Sequence, residues 1–426
     1  MSDIKSIDKW IAERTGLGEK LNQSNMEQYQ TEKLRQIIGY AQERSPFYRK
    51  LYENIDISSL NSIDDIGGLP LIGAEDITRQ GNQMVCLDQS QIKRIVTLTS
   101  SGSTSAPKRV FFSQDDLELT VDFFANGMAT MTGEDERLMI CMPCDKPDGI
   151  GDLLARGLER IGAKPYRYGA IFDYDDAAAV MQQLAPDCLV GIPGQMLRLA
   201  SLAPQMRPAV VLLSADFIPD AISMRLADIW HCEVYAHYGM TESGLGGGVE
   251  CGAHSGYHLR HGDLLFEIID PVTGKQKPDG QRGEVVFTTL NRQAMPLIRY
   301  RIGDISRIIA NPCPCGSGLK RLGKIEGRYT NIIGLGEGKT ISINQLDEIL
   351  YLHPEVMDYT ASLTSDKGEW TLLVEALLVE GALLTDIERY LKDNLDMQIK
   401  LNCGGGFTTN GTIKRQLKLN ISEGKI

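Results

Sequence analysis

Between residues 26 and 52 the apolar positions Leu34, Ile37, Ile38 and Ala41 fall at helical spacing, and Pro46 follows. Such spacing puts the side chains on one stripe, and proline lacks the amide that would extend the ladder. A docked N-terminal helix that stops at Pro46 is predicted. From Ile92 onward, short apolar runs (IVTLT, RVFFS, LMICMP, CLVGIP, AVVLLSA, CEVYAHYG) alternate with stretches of helical period (SQDDLELTVDFFANGMATM, GDLLARGLERIG, DAAAVMQQLA, DAISMRLADIW). That alternation predicts βα units around a parallel sheet.

After Glu242 the texture changes to short strands and turns: HLRHGDLLFEIID, a turn at PVTGKQKPDGQRG, then EVVFTTL and LIRYRIGDISRII. This predicts a β-rich subdomain over about 245–325. The stretch GKIEGRYTNIIGLGEGK is the candidate hinge between a large N-terminal domain, 1–328, and a small C-terminal α/β domain, 329–426, with amphipathic helices at 345–352 and 383–395.

Composition narrows the function classes. At 426 residues, 42% hydrophobic and 23% charged, the chain is long enough for a sizeable core and is neither disordered nor fibrous. Its 43 glycines are about a tenth of the chain against a usual ~7%, so backbone conformations with positive φ or close approach are expected. A net charge of −12 argues against counterion-release binding to nucleic acid or to an anionic membrane. Charged residues at Asp3, Lys5, Asp8, Lys9, Glu13 and Arg14 leave no apolar signal core, and no uncharged apolar run reaches the ~18 residues of a membrane span. A cytoplasmic protein is expected. Nine cysteines, an odd number in a long chain, point to thiols or metal ligands over a secreted disulfide framework.

Three motifs carry candidate chemistry. Thr99-Ser100-Ser101-Gly102-Ser103-Thr104-Ser105-Ala106-Pro107-Lys108 lies between two strand-like segments. Small hydroxyl residues and glycine let N–H and O–H groups surround phosphate oxygens, and Lys108 adds positive charge, although the spacing is not that of a Walker loop. Tyr235-Ala236-His237-Tyr238-Gly239-Met240-Thr241-Glu242 ends another strand-like segment and offers an aromatic face for a base, a glycine for close approach, and Thr241 and Glu242 for phosphate and magnesium. Tyr300-Arg301-Ile302-Gly303-Asp304 presents, on a turn, a carboxylate suited to both hydroxyls of a ribose.

In this order and at these intervals, the three motifs resemble the adenylate-forming superfamily of acyl-CoA synthetases, adenylation domains and luciferases. SPFYRKLY, SIDDIGGLPLIGAEDI, EIIDPVTGK, GEVVFTTL, PLIRYRIGD and CPCGSGLKRLGKIEGR are similar to the phenylacetate-CoA ligase branch in particular, and the likeness runs over nearly the whole chain. It implies a large AMP-binding domain with βα sheets and a mobile C-terminal domain. It further implies that Ser101, Gly102, Ser103, Thr104 and Lys108 cover the ATP phosphates, Tyr238, with Gly239 and Met240, stacks on adenine, and Ser214, Ala215 and Asp216 edge the adenine pocket. Glu242 would hold Mg2+, with Thr241 beside it, Asp304 would bind the ribose hydroxyls and Arg328 would sit near the nucleotide.

Two positions depart from the family pattern. After the hinge Gly327-Arg328 the chain has Tyr329-Thr330-Asn331 in place of an acid, so Thr330 becomes the expected pivot. Near the C-terminus the catalytic-lysine position falls on Thr412, and Lys414, two residues on and on the same face of an extended segment, is the expected substitute.

A possible metal site accompanies these motifs. Cys313-Pro314-Cys315-Gly316 is a knuckle of two thiols, and Cys251 precedes His254, His258 and His261; three thiolates and one imidazole make a closed structural zinc site. The branch's Cys, Gly-aromatic-His and Cys-Pro-Cys-Gly elements resemble Cys251, Gly256-Tyr257-His258 and Cys313 to Gly316. The expected ligands are therefore Cys251, His258, Cys313 and Cys315, with His254 as the alternative. Cys144, in Met142-Pro143-Cys144-Asp145, is expected to be a buried thiol beside the acyl pocket.

The resemblance implies an ATP-dependent acid–CoA ligase acting on a small carboxylic acid, aryl by family, with ATP/AMP, Mg2+ and coenzyme A as cofactors or co-substrates, Zn2+ as a structural ion, and a homodimer as the assembly. Adenylation with another acceptor or product, as in cofactor-adenylylating and acyl-protein synthetases, and a nucleotide-binding protein with reduced turnover are the rival classes. The segment MPCDKPDGIG, with two aspartates and no aromatic residue, leaves the identity of the acid open.

Overall fold

The computed structural model describes residues 7–98, 107–336, 339–366, 369–379, 381–382, 384–395, 397–403 and 417–421. The chain divides into two compact units, one formed by residues 1–136, 143–165 and 235–326, the other by 137–142, 166–234 and 327–426. Among the described residues no helix is long and apolar enough to cross a membrane.

In the first unit the N-terminal helix runs Gln23–Arg44 and buries Leu34, Ile37, Ile38 and Ala41. Pro46 does end it, but also opens a further helix, Pro46–Leu51, because proline at the first helical position gives up an amide that had no partner there. The strands Arg94–Leu98 and Lys108–Phe112 pair antiparallel, with Leu98 opposite Lys108, and so stand outside the parallel sheet that the alternating pattern predicted for them. Helix Gln114–Met128 starts with a reciprocal cap between Ser113 and Asp116 and packs on helix Ile150–Arg160. The predicted β-rich region is present: Leu264–Ile269, Gly283–Thr289 and Tyr300–Ser306 form an antiparallel meander. A second antiparallel ladder links the end of strand Glu233–Tyr238 to Gly248–Val249, Tyr257–Leu259, Arg321–Leu322 and Ile308–Ile309.

The second unit holds the parallel strands Arg137–Ile140, Cys188–Gly191 and Val210–Leu213. Burial on both faces explains their near-continuous apolar runs. Helices Tyr174–Leu184, Pro193–Leu202 and Asp220–Trp230 accompany them. The helix Pro193–Leu202 was not among the predicted elements. Towards the C-terminus, Val356–Asp366 and Glu369–Leu378 form an antiparallel hairpin, flanked in parallel by Lys418–Ile421 and Gln398–Cys403. Helices Ile343–Leu352 and Leu384–Asn394 lie within a residue or two of their predicted spans.

Candidate active site

Residues far apart in sequence meet in the first unit. Lys108 opens its strand immediately after the Ser/Thr loop, and its ammonium pairs with the Glu242 carboxylate and lies 3.4 Å from the Tyr300 hydroxyl. Tyr300 in turn donates to Glu242 Oε1 at 3.1 Å. Burial pushes the Glu242 carboxyl up, but the Lys108 charge and the Tyr300 hydroxyl outweigh it, so the acid stays ionised below its ordinary range. A buried carboxylate, a cation and a phenol thus share one point.

Local backbone chemistry fixes this group. Thr241–Ser243 form a tight turn that closes on Gly244 at φ 77°, a left-handed conformation suited to glycine. Thr120 from helix Gln114–Met128 donates to the Gly244 carbonyl at 2.7 Å and ties the turn to the helix. At Gly239 any Cβ would stand 2.3 Å from the Leu245 carbonyl, so the motif needs glycine there. Met240 and Thr241, which precede Glu242, are half-buried.

The other half of the site joins Tyr238 to Asp304, with the phenol donating to Asp304 Oδ2 at 3.0 Å. Asp304 sits within the strand Tyr300–Ser306 and not on a turn as expected. Between the pairs Glu284–Ile305 and Val286–Arg301, Val285 alone stands opposite Ile302 to Asp304, and Gly303 has φ 84°. A bulge of this kind re-aims side chains that a regular ladder would point elsewhere. At the start of the same strand Arg299, fully buried and at φ 52°, is held by Glu267 and by the carbonyls of Gly67 and Leu69.

Beside the turn, His237 is buried between the rings of Phe123 and Phe124, at centroid distances of 6.0 and 5.9 Å. Burial lowers its pKa to about 4, so the imidazole is neutral. A Cβ on Gly246 would stand 2.3 Å from Phe123 Cδ1. Gly246 therefore serves close packing against that ring, while Gly247 and Gly248 pack against Tyr238 and Tyr257.

In the second unit, Ser214 follows its parallel strand with its amide donating to the Gly191 carbonyl at 3.0 Å, Ala215 has φ 73°, and Asp216 accepts from the Phe217 amide at 2.9 Å. Arg328 ends the short strand Gly327–Arg328, and Tyr329–Asn331 follow as a single tight turn. Ser101, Gly102, Ser103, Thr104, Thr412 and Lys414 lie outside the described residues.

Cys251, His258, Cys313 and Cys315 converge, with all four ligand atoms within 4.8 Å of one another. Cys251 Sγ lies 3.7 Å from Cys313 Sγ, and Cys315 Sγ lies 3.5 Å from His258 Nε2. His258 stands on the strand Tyr257–Leu259, opposite Val249 and Arg321, and burial holds its imidazole neutral with a pKa of about 4. His254 is excluded from the cluster: it has φ 45°, packs on Tyr235 at 5.0 Å and faces Glu250 at 3.6 Å.

Sequence reasoning gave no role to Tyr300, although it stands in a quoted motif, and overlooked Arg292. Arg292 is buried, donates to the Glu242 carbonyl and lies over the Phe112 ring at 4.3 Å. A cation inside Asn291-Arg292-Gln293 reads as a solvated turn; the apolar AMPLI that follows was the one signal that this segment enters the core.

Known proteins resemble this chain over most of its length. The profile of the AMP-binding enzyme family matches residues 89–291. The phenylacetate-coenzyme A ligase of Thermus thermophilus is 26% identical over 422 residues, covering 90% of this chain and 93% of that protein. The phenylacetate-coenzyme A ligase of Escherichia coli is 23% identical, covering 93% and 92%. Among solved structures, 2-hydroxyisobutyryl-CoA ligase in the postadenylation state with R3-HIB-AMP superposes with a TM-score of 0.81 at 21% identity, covering 95% of this chain and 91% of that one. An anthranilate CoA ligase with anthranoyl-AMP gives 0.54 at 16% identity, over 74% and 64%.

Proposed function

Because the chain belongs to the adenylate-forming superfamily, on its phenylacetate-CoA ligase-like branch, we propose that it joins a carboxylic acid to coenzyme A at the expense of ATP. In the first step an acid oxygen attacks the α-phosphorus, the bond to the bridging oxygen breaks, and pyrophosphate leaves. In the second, the coenzyme A sulfur attacks the acyl carbon, a C–S bond forms, and AMP departs with the C–O electron pair. Adenylation is needed because a carboxylate oxygen is a poor leaving group and AMP a good one.

The observation that carries this reading is the Lys108–Glu242–Tyr300 group beside the Tyr238–Asp304 pair. Lys108 turns from Glu242 to the phosphate oxygens that the Ser101–Thr104 loop covers. Glu242 is the buried, ionised carboxylate that suits Mg2+, which is commonly held by one or two carboxylates together with substrate phosphates. Held by Glu242, Mg2+ would supply positive charge against the phosphates. Tyr238 and Asp304 take adenine and ribose, Ser214 to Asp216 edge the base, and Arg328 stands at the nucleotide. Lys414 stabilises the attacking carboxylate in place of Thr412. The C-terminal domain, 329–426, turns against 1–328 about Thr330 between the two steps, a hinge motion.

We read the acid as aryl. The names of the curated relatives and the buried group of Phe123, Phe124 and His237 support this. The two aspartates of MPCDKPDGIG do not argue against it, since Asp145 is exposed and Asp148 is taken by Arg156 at 3.0 Å. Cys251, His258, Cys313 and Cys315 are read as a structural zinc site. A tetrahedral ion with Zn–S of about 2.3 Å and Zn–N of about 2.0 Å spaces its ligands by about 3.8 Å (S to S) and about 3.5 Å (S to N). The Cys251–Cys313 spacing of 3.7 Å and the Cys315–His258 spacing of 3.5 Å match these values, and all four ligand atoms lie within 4.8 Å of one another. A cytoplasmic homodimer completes the reading. Mass-spectrometric detection of an acyl-CoA from an aryl acid, ATP and coenzyme A tests the proposal; AMP formed with no thioester would refute it.

A further inference from the structure

Arg292 serves neither motif, yet it touches both segments that bring Lys108 and Glu242 together. Its Nη1 donates to the main-chain carbonyl of Glu242. Its guanidinium lies over Phe112, the last residue of the strand that Lys108 begins, with the central carbon 4.3 Å from the ring centroid. The loop that carries it is pinned from the other side: Asp116, in the first turn of helix Gln114–Met128, accepts from the amides of Gln293 at 2.8 Å and Ala294 at 3.0 Å. The same carboxylate accepts from the Ser113 amide at 2.9 Å, so the cap that starts the helix also anchors the loop.

Arg292 is buried, and its Nη2 has no hydrogen-bond partner among the described residues. A guanidinium that leaves a buried donor unmatched is costly, and a neutral apolar side chain would fill the same space at less cost. Burial lowers its pKa to about 10, which leaves it charged at neutral pH. What the charge does for the site follows from what Lys108 must do. When phosphates arrive, Lys108 swings to them, and Glu242 loses the cation that now faces it. Arg292 cannot follow, because Phe112 and the Asp116-anchored loop hold it in place.

Building on the ligase reading, we propose that Arg292 is a positioning residue: the fixed guanidinium that keeps the Glu242 turn in place once Lys108 has moved to the nucleotide. Its effect is therefore felt through Glu242, on the magnesium-dependent part of nucleotide binding.

The test is calorimetric titration of ATP into wild type, Arg292→Met and Arg292→Lys, each with Mg2+ and with no added divalent cation. Loss of one charge-assisted hydrogen bond corresponds to about a tenfold change in affinity. Arg292→Met is expected to weaken ATP binding about tenfold in Mg2+ and less than about twofold without added divalent cation. Arg292→Lys, which keeps the charge and one donor, is expected to recover most of that loss. A merely structural role would weaken binding equally in both buffers and would not be rescued by lysine; equal losses, or a wild type indifferent to Mg2+, overturn the proposal. Acid-dependent pyrophosphate release by wild type is scored separately. Its absence would refute the ligase reading while leaving the magnesium comparison intact.

Discussion

Replacing Glu242 by glutamine removes one charge from the centre of the site and leaves its shape almost unchanged. In the folded protein the Lys108 and Glu242 side chains are 18% and 10% exposed, so each has lost most of its hydration. Breaking a fully buried ion pair by removing one partner costs about 3–5 kcal/mol. The remaining exposure of Lys108, and a Tyr300 hydroxyl that can still bond the amide, reduce this to about 2 kcal/mol for Glu242→Gln. Lys108→Met should cost a similar amount, since it strands a buried carboxylate. The double variant then loses less than the sum by about 1.5 kcal/mol, because the second substitution removes a charge that the first had stranded. The assay is urea unfolding of the four proteins without nucleotide at neutral pH. The pair also has a definite pH dependence. Glu242 is held below its ordinary value, so its contribution is complete above the usual glutamate range and is lost as pH falls through the depressed value. The coupling must therefore shrink on acidification. Additivity within about 0.5 kcal/mol at neutral pH, or a coupling that grows as pH falls, would refute the claim that these side chains form one buried electrostatic unit.

Other substitutions probe the remaining parts. Protein purified without chelator should carry about one zinc per chain; His258→Ala and Cys313→Ser should lose it and lower the melting temperature, whereas His254→Ala should keep it, as read by elemental analysis. Asp304→Asn should raise the KM for ATP about tenfold and abolish discrimination against 2′-deoxy-ATP, because one acceptor for the ribose hydroxyls is gone, as read by steady-state kinetics. Gly246→Ala places a methyl group 2.3 Å from Phe123 Cδ1 and should destabilise the protein by about 1–3 kcal/mol in thermal unfolding.

The parts of the fold that were legible in the sequence are those set by local pattern. The buried run in Val210–Leu213 and the stripe of Leu34, Ile37, Ile38 and Ala41 mark their elements without knowledge of what they pack against. Pro193–Leu202 was missed because its opening Pro-Gly reads as a break, whereas proline at the first position of a helix is tolerated. The antiparallel pairing of Arg94–Leu98 with Lys108–Phe112 was hidden for another reason: strand propensity says nothing about the direction of the partner.

In the candidate site, motif residues were readable one by one, and their meetings were not. Lys108 and Glu242 are 134 residues apart, and nothing local to either announces the other. The family resemblance alone favoured His258 over His254; the physical reason is strand register, which places one imidazole towards the cysteines while the other packs on Tyr235. Arg292 was illegible because burial is a tertiary property: the residue most often found at surfaces is here enclosed by Phe112 and the Glu242 turn.

The central claim, activation of an acid as its adenylate followed by transfer to coenzyme A, is tested most directly by pyrophosphate release with ATP and Mg2+ over a panel of aryl, fatty and amino acids, with and without coenzyme A, for wild type and Lys414→Ala. Release that depends on an aryl acid, a thioester when coenzyme A is added, and a large loss of both in the variant are expected. Acid-dependent release without any thioester, or no release for any acid by protein that binds ATP, would contradict it.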